Sequence, residues 1–218
     1  MMDELFIDII EILGTAAFAI SGIRLAAAKR FDWFGAYVVG LVTAIGGGTL
    51  RDVLLDLPVF WMKSSVYLVV TFISLVAVIV FRQALVKGMR TLFIFDAIGL
   101  ALFVVVGVQR TTEAGLPMWV AIVMGTITGS FGGIIRDILI NEQPLFFRKD
   151  IYATACLAGG VVYWLLNMLH INDIVPQIAC AVAVIGLRVA AVHYGWALPI
   201  LKVDSELIPD NEDANSEK

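Results

Sequence analysis

Charge is scarce in this chain. Only 16% of its 218 residues are Asp, Glu, Lys or Arg, against about 25% in soluble domains. The fifteen bases form no stripe and the formal net charge is −4, which excludes nucleic acid as a partner. Cysteine is nearly absent: Cys156 and Cys180 both lie in apolar runs, so there is no disulfide scaffold, and no metal-ligand spacing surrounds them. His170 and His193 are the only histidines; near the ends of apolar runs they read as interfacial residues rather than a proton relay. No nucleotide-binding loop, catalytic triad or metal motif occurs, so neither a pump nor an enzyme is expected, and no cofactor or metal.

Apolar residues fill the space that charge leaves. They make up 60% of the chain, and mean hydropathy is +0.92. A soluble protein of this length could not bury that much apolar surface, so the composition indicates a polytopic membrane protein. A span needs about 20 mostly apolar residues. Seven stretches qualify, at 5–28, 33–57, 64–83, 92–110, 117–140, 151–170 and 174–196. The first is no secretory signal, because it opens on Asp3 and Glu4. Trp33, Trp61, Trp119 and Trp196 stand near span ends, as an aromatic belt requires. The acidity is local: residues 204–218 hold six of the nineteen acids and one base, and read as a disordered solubilising tail.

Lysine and arginine counts orient the spans. One side carries only Lys63 and Arg110. The other carries Arg24, Lys29, Arg30, Arg82, Lys87, Arg90, Arg148, Lys149, Lys202 and Lys218. The expected placement is a cell inner (plasma) membrane with the N-terminus outside and the C-terminus cytoplasmic. Arg51, Arg136 and Arg188 fall inside spans; Arg188 can snorkel to the cytoplasmic face or pair within the protein.

The chain repeats itself. At an offset of 85 residues, 14–56 aligns with 99–141 without a gap, and thirteen of the forty-three positions are identical. They include Gly22/Gly107, Thr43/Thr128, Gly47/Gly132, Gly48/Gly133, Arg51/Arg136 and Asp52/Asp137. A one-residue insertion then sets Pro58 opposite Pro144 and Lys63 opposite Lys149. Each copy holds three spans, so the second enters the membrane from the opposite face. The expected fold is an all-α membrane protein of seven transmembrane helices: two inverted three-helix repeats (1–90 and 91–172), a seventh helix (173–203) and the tail (204–218). Transport proteins use this device to place a site near the midplane.

Within each copy the middle span is the unusual one. The second reads Gly46-Gly47-Gly48-Thr49-Leu50-Arg51-Asp52 and the fifth Gly132-Gly133-Ile134-Ile135-Arg136-Asp137. Consecutive glycines weaken a helix by about 1 kcal/mol each relative to alanine. They permit a kink or short unwound segment facing a passing cation; packing is the alternative use. Thr43, Thr49, Thr126 and Thr128 could replace ion hydration there. Upstream, Gly40-Ala44-Gly48 and Gly125-Gly129-Gly133 recur every fourth residue and suit close helix packing. A buried arginine needs carboxylates. Glu11 and Arg51 each lie about six residues from the outer ends of their spans, and Asp96 and Arg136 about four from the inner ends. Two networks are therefore expected, Glu11–Arg51–Asp52 outside and Asp96–Arg136–Asp137 inside, acting as structural staples or as charged gates.

Seven spans with glycine-rich second and fifth helices beside Arg-Asp pairs resemble the trimeric intracellular cation (TRIC) channels, in their bacterial and archaeal branch, which also carries the name of a glycine-transporter domain family. The resemblance covers about 5–196 and rests on Gly46-Gly47-Gly48 with Arg51-Asp52 and Gly132-Gly133 with Arg136-Asp137. It implies a homotrimer, one pore per protomer formed by the first, second, fourth and fifth spans, constriction at the glycine kinks, and permeation of potassium, then sodium, in contact with membrane lipids. Phe131 stands where the first copy has Gly46, so equal roles do not transfer to both kinks, and no phosphoinositide site carries over. A secondary transporter for a small zwitterion such as glycine is the alternative that an inverted repeat serves equally well.

Overall fold

The computed structural model describes residues 2–81, 89–148, 151–169 and 174–199. Arg82, Lys87, Lys149, His170, Lys202, Lys218 and the acidic tail 204–218 lie outside the described residues. Among those described there are eight α-helices: α1 (Met2–Ala28), α2 (Trp33–Leu54), α3 (Phe60–Lys63), α4 (Val66–Val80), α5 (Met89–Glu113), α6 (Met118–Leu139), α7 (Ala153–Asn167) and α8 (Ile174–Tyr194). A 3₁₀ turn, Leu145–Phe147, precedes α7. Helices α1, α2, α5, α6 and α8 are long and apolar enough to cross a membrane. Helices α4 and α7 have 15 residues each, about 22 Å, and fall short of a bilayer's hydrocarbon thickness of about 30 Å.

The core lies where α1, α2, α5 and α6 meet. Phe18 and Phe103 stack there with ring centroids 5.4 Å apart. Each ring lies over a glycine of the facing helix, Phe18 on Gly99 and Phe103 on Gly14. A side chain at Gly22 would run into Thr43 and the Gly40 backbone, and one at Gly107 into Thr128 and the Gly125 backbone. The closest approach is between α2 and α6. A Cβ on Gly47 would collide with the Thr128 carbonyl, and one on Gly132 with the Thr43 carbonyl. Only hydrogen allows two backbones this close.

Local backbone geometry recurs at the same 85-residue spacing. Arg30 and Gly115 have positive φ (63° and 76°), as do Asp56 and Asn141 (55° and 57°). The last two close helices α2 and α6, with Leu57 N–H donating to Asp52 O and Glu142 N–H to Asp137 O, both at 2.8 Å; this is the Schellman ending.

Two expectations need correction. The helices do not unwind at their glycines: α2 and α6 remain α-helical through Gly46–Gly48 and Gly132–Gly133, because tight packing offsets the weak propensity of glycine. Arg24, counted above with the bases of one membrane side and not among those inside spans, belongs to α1 and is buried, 6% exposed.

The crossing sets a stability prediction. Gly47→Ala and Gly132→Ala each lower stability by about 1–3 kcal/mol, since a methyl group there meets backbone rather than a side chain that can yield. Gly186→Ala, with no atom within 4 Å of the added carbon, leaves stability unchanged or raises it by up to about 1 kcal/mol. Thermal unfolding of the detergent-solubilised protein checks both.

Candidate functional site

Two charged clusters stand at the two ends of the α1–α2–α5–α6 core. In the first, Arg51 on α2 is 1% exposed. Its Nε and Nη2 lie 2.8 Å from Asp52 Oδ1, and its Nη1 3.4 Å from Glu11 Oε1 on α1. In the second, Arg136 on α6 is equally buried. Its Nε donates to Asp137 Oδ1 at 2.9 Å, and its Nη1 to Asp96 Oδ1 on α5 at 2.6 Å and to Ser21 Oγ at 2.8 Å. Both aspartates use their second oxygen on the chain beyond the helix. Asp52 Oδ2 accepts from Phe60 N–H at 2.8 Å and Asp137 Oδ2 from Leu145 N–H at 3.0 Å. Each thus ties the helix end to the segment that leads into the next helix.

These equivalent bonds fall 85 residues apart, so the one-residue insertion read from the sequence is not needed there: the ungapped register runs on to Phe60/Leu145 and to Tyr67/Tyr152. Both tyrosines join their clusters. Tyr67 Oη donates to Glu11 Oε2 at 3.2 Å. A Cβ on Gly133 would lie 2.7 Å from Tyr152 Oη, while Gly48 faces the Phe60 ring, over which Arg51 also lies, at 5.5 Å. Reading the sequence missed these two tyrosines, and also Ser21, although the tyrosines sit at the repeat spacing.

The clusters differ in their access to water. The Glu11 cluster opens on a cavity of about 590 Å³, whose polar lining includes Asp8, Glu11, Asp52 and Glu113 together with Arg51, Lys63 and Arg110. Arg110, 30% exposed, spans the acids: Nη2 is 3.5 Å from both Asp8 Oδ1 and Glu11 Oε2, and Nη1 3.4 Å from Glu113 Oε2. The central groups are equally buried at both ends, and the Asp96 cluster is more closed at its outer members: Tyr152 is 1% exposed against 9% for Tyr67, and the second guanidinium, Arg188 of α8, 3.5 Å from Asp96 Oδ2, is 4% exposed against 30% for Arg110. Of the two options open to Arg188, it pairs within the protein. On the loops at this end, Lys29 Nζ lies 2.5 Å from Glu142 Oε1, and that bond holds the Glu142 carboxyl below the usual carboxylate range.

The threonines are engaged with their own helices. The hydroxyls of Thr43, Thr49, Thr126 and Thr128 donate to the carbonyls of Val39, Ile45, Ile122 and Met124, and Thr49 Oγ1 also accepts from Trp61 Nε1 at 3.0 Å.

The geometry ranks the carboxylates. Asp96→Ala removes a 2.6 Å contact from a dry cluster and lowers stability by about 3–5 kcal/mol. Glu11→Ala breaks contacts of 3.2–3.5 Å beside a cavity and lowers it by less. Equal losses in thermal unfolding would contradict the difference between the two ends.

Comparison with known proteins follows this geometry closely. A family model described as "Glycine transporter" matches the chain twice, over residues 8–83 and 93–168, two segments offset by 85 residues. The inner membrane protein YadS of Escherichia coli (strain K12) is 42% identical over 201 residues, covering 89% of this chain and 96% of that protein. The TRIC trimeric intracellular cation channel orthologue from Rhodobacter sphaeroides superposes with a TM-score of 0.83 at 33% identity, covering 87% of this chain and 98% of the other. A second solved TRIC cation channel gives 0.81, also at 33% identity, over 91% and 98%. With five long apolar helices, this is a multi-pass membrane protein, and it belongs to the TRIC channel family in the branch covered by the glycine-transporter family model.

Proposed function

We propose that this chain forms a homotrimeric channel for monovalent cations, potassium first and sodium second, with one pathway in each protomer. The observation that carries the reading is the acid-lined cavity over Arg51, which lies one helical turn from the α2–α6 crossing. Four carboxylates against three cationic side chains give its mouth a net negative lining, which concentrates cations and repels anions. Below it, Gly46, Gly47 and Gly48 on α2 and Gly132 and Gly133 on α6 form the constriction, with Thr43, Thr49 and Thr128 beside it. Backbone contact at Gly47 and Gly132 closes this conformer, and conduction requires the two helices to part. The solved relatives are themselves named as cation channels, and none of this calls for enzyme chemistry.

The proposed topology has seven spans, with 1–90 and 91–172 as inverted repeats and 173–203 as the seventh. Helices α4 and α7 complete the count. Each follows a short helical turn, Phe60–Lys63 before α4 and Leu145–Phe147 before α7. The double match to one family model and the recurrence of caps, ion pairs and positive φ at one spacing support the repeat. The Lys29–Glu142 pair supports placing the α1–α2 and α6–α7 loops on one face, with their bases toward the cytoplasm of an inner membrane and the N-terminus outside.

The description of the family model favours a second reading, a carrier of glycine. A cavity presenting carboxylates, Lys63 and Arg110 could hold a zwitterion. Its volume of about 590 Å³ is that of a site for a drug-sized ligand, much larger than glycine fills, and this favours the channel.

Purified protein in planar bilayers decides between them. Unitary potassium currents are expected; no currents together with saturable glycine uptake would establish the carrier. Asp8→Asn combined with Glu113→Gln should lower the inward potassium current at about 0.02 M salt and change it little near 1 M, where the Debye length is about 3 Å. Arg51→Ala and Arg136→Ala, recorded separately with trimer assembly verified, are expected to alter gating; normal currents from both would reduce the clusters to staples.

A further inference from the structure

The two clusters share the Arg-Asp pair, a carboxylate from the preceding long helix and a tyrosine, and they differ most in their second arginine. At the Glu11 end that residue is Arg110, near the C-terminus of α5 and exposed to the cavity. At the Asp96 end it is Arg188, 4% exposed, on α8, the helix that lies outside the repeat. The substitution changes the chemistry. Tyr67 bonds Glu11 directly, whereas the equivalent Tyr152 is covered by the Arg188 guanidinium, 4.8 Å from its ring centroid. The same guanidinium lies 5.2 Å from the centroid of Phe93 on α5. Its Nη2 reaches Asp96 Oδ2, and its Nη1 donates to Ile151 O at 3.2 Å. One side chain thus clamps α5, through Phe93 and Asp96, to the chain entering α7, through Ile151 and Tyr152.

Helix α8 is anchored at its other end as well. Gln177, 1% exposed, donates from Nε2 to Gln109 Oε1 at 3.3 Å. Gln109 Nε2 donates in turn to Glu113 Oε1 at 3.0 Å, and Glu113 holds Arg110. Residues 177 and 188 are eleven apart, close to three full turns, so they share one face about 16 Å apart along the helix. Cys180 and Val184, both 0% exposed, complete that face between them.

We infer that Arg188 is a positioning residue of the proposed channel: it latches the mouth at the Asp96 end shut by pinning α5 to the start of α7, using α8 as a rigid strut braced on the Glu11 end. The inference rests on the channel reading for its consequence, but the latch itself can be read without current. Asp96 then carries two tasks: it neutralises Arg136, and it offers its second oxygen to Arg188. Opening this mouth breaks the second contact and leaves the first, so Arg136 keeps a counter-charge throughout. At the Glu11 end the second arginine, Arg110, faces the open cavity instead.

Cys156 supplies a native reporter. It is 0% exposed, one turn from Tyr152, and its Sγ donates to Tyr152 O at 3.4 Å. In full-length trimers carrying Cys180→Ala, Cys156 should react slowly with a membrane-impermeant thiosulfonate applied at the Asp96 end. Arg188→Leu should raise that rate about tenfold, within the usual range of coupling between sites, and Arg188→Lys should fall between the two. In bilayers, Arg188→Leu should raise open probability by a similar factor with unitary conductance unchanged, because the residue positions the mouth and does not line it. Unchanged Cys156 reactivity in folded Arg188→Leu trimers would overturn the latch, as would a change in unitary conductance without a change in open probability. If Arg188→Leu does not assemble, Arg188→Lys carries the test: it keeps the charge but loses the planar stack on Tyr152, and wild-type reactivity in that variant would also overturn the latch. Increased reactivity in a protein that passes no current would support the latch while refuting the channel reading.

Discussion

Every other feature of this protein accommodates one constraint: an arginine inside a membrane must stay neutralised. Arg51 and Arg136 are each 1% exposed and each held between two carboxylates from two helices. An uncompensated charge in such a place is very costly, and removing one partner leaves the other stranded. That cost fixes the rotation and the depth of α1 against α2 and of α5 against α6. It also explains why the following aspartates are bonded on both sides. One oxygen serves the arginine, and the other captures an N–H of the segment beyond the helix, so the charge pair and the chain reversal form a single unit.

Glycine makes the second half of that arrangement possible. Two pairs of charge-linked helices could stand apart, with the charges facing lipid or water. Instead α2 and α6 meet at Gly47 and Gly132, each against the carbonyl of a threonine on the other. In a membrane, where no hydrophobic force drives helices together, such contact is the main source of association. The crossing is mainly backbone on backbone, with Ile135 Cδ1 of α6 against Gly46 beside it, so in the proposed channel the two helices could part with little repacking of side chains.

Much of this was legible in the sequence. The 85-residue offset picked out both Arg-Asp pairs, and depth counting placed Glu11 beside Arg51 and Asp96 beside Arg136, which are the pairs that the structure brings within 3.4 Å and 2.6 Å. What escaped had physical reasons. Tyr67 and Tyr152 lie beyond a loop whose two copies differ in their prolines, so a gap that aligned Pro58 with Pro144 hid a register that the backbone keeps. Of the kink or unwound segment that Gly46–Gly48 permit, the unwound form follows from propensity, a quantity measured in isolated helices, and helix packing overrides it here. The threonines' first bonds were not legible either: in an apolar setting a hydroxyl donates to a carbonyl of its own helix. Arg188 left two outcomes open because a single arginine near a span end carries no pairing information; its partners come from helices with no repeat relation to α8.

The asymmetry between the ends is where the repeat stops explaining the protein. Two copies of one motif, 85 residues apart, should yield two equivalent clusters. The chain breaks that equivalence with residues outside the motif. Arg110 sits among three carboxylates at 3.4–3.5 Å, in a cavity where water screens each pair. Arg188 sits among two rings, a carbonyl and a carboxylate, shielded from water. The same guanidinium chemistry is therefore exchangeable at one end and locked at the other. The proposed channel would thus have one hydrated, cation-attracting mouth and one closed by Arg188, and α8 supplies the residue that makes the two ends differ.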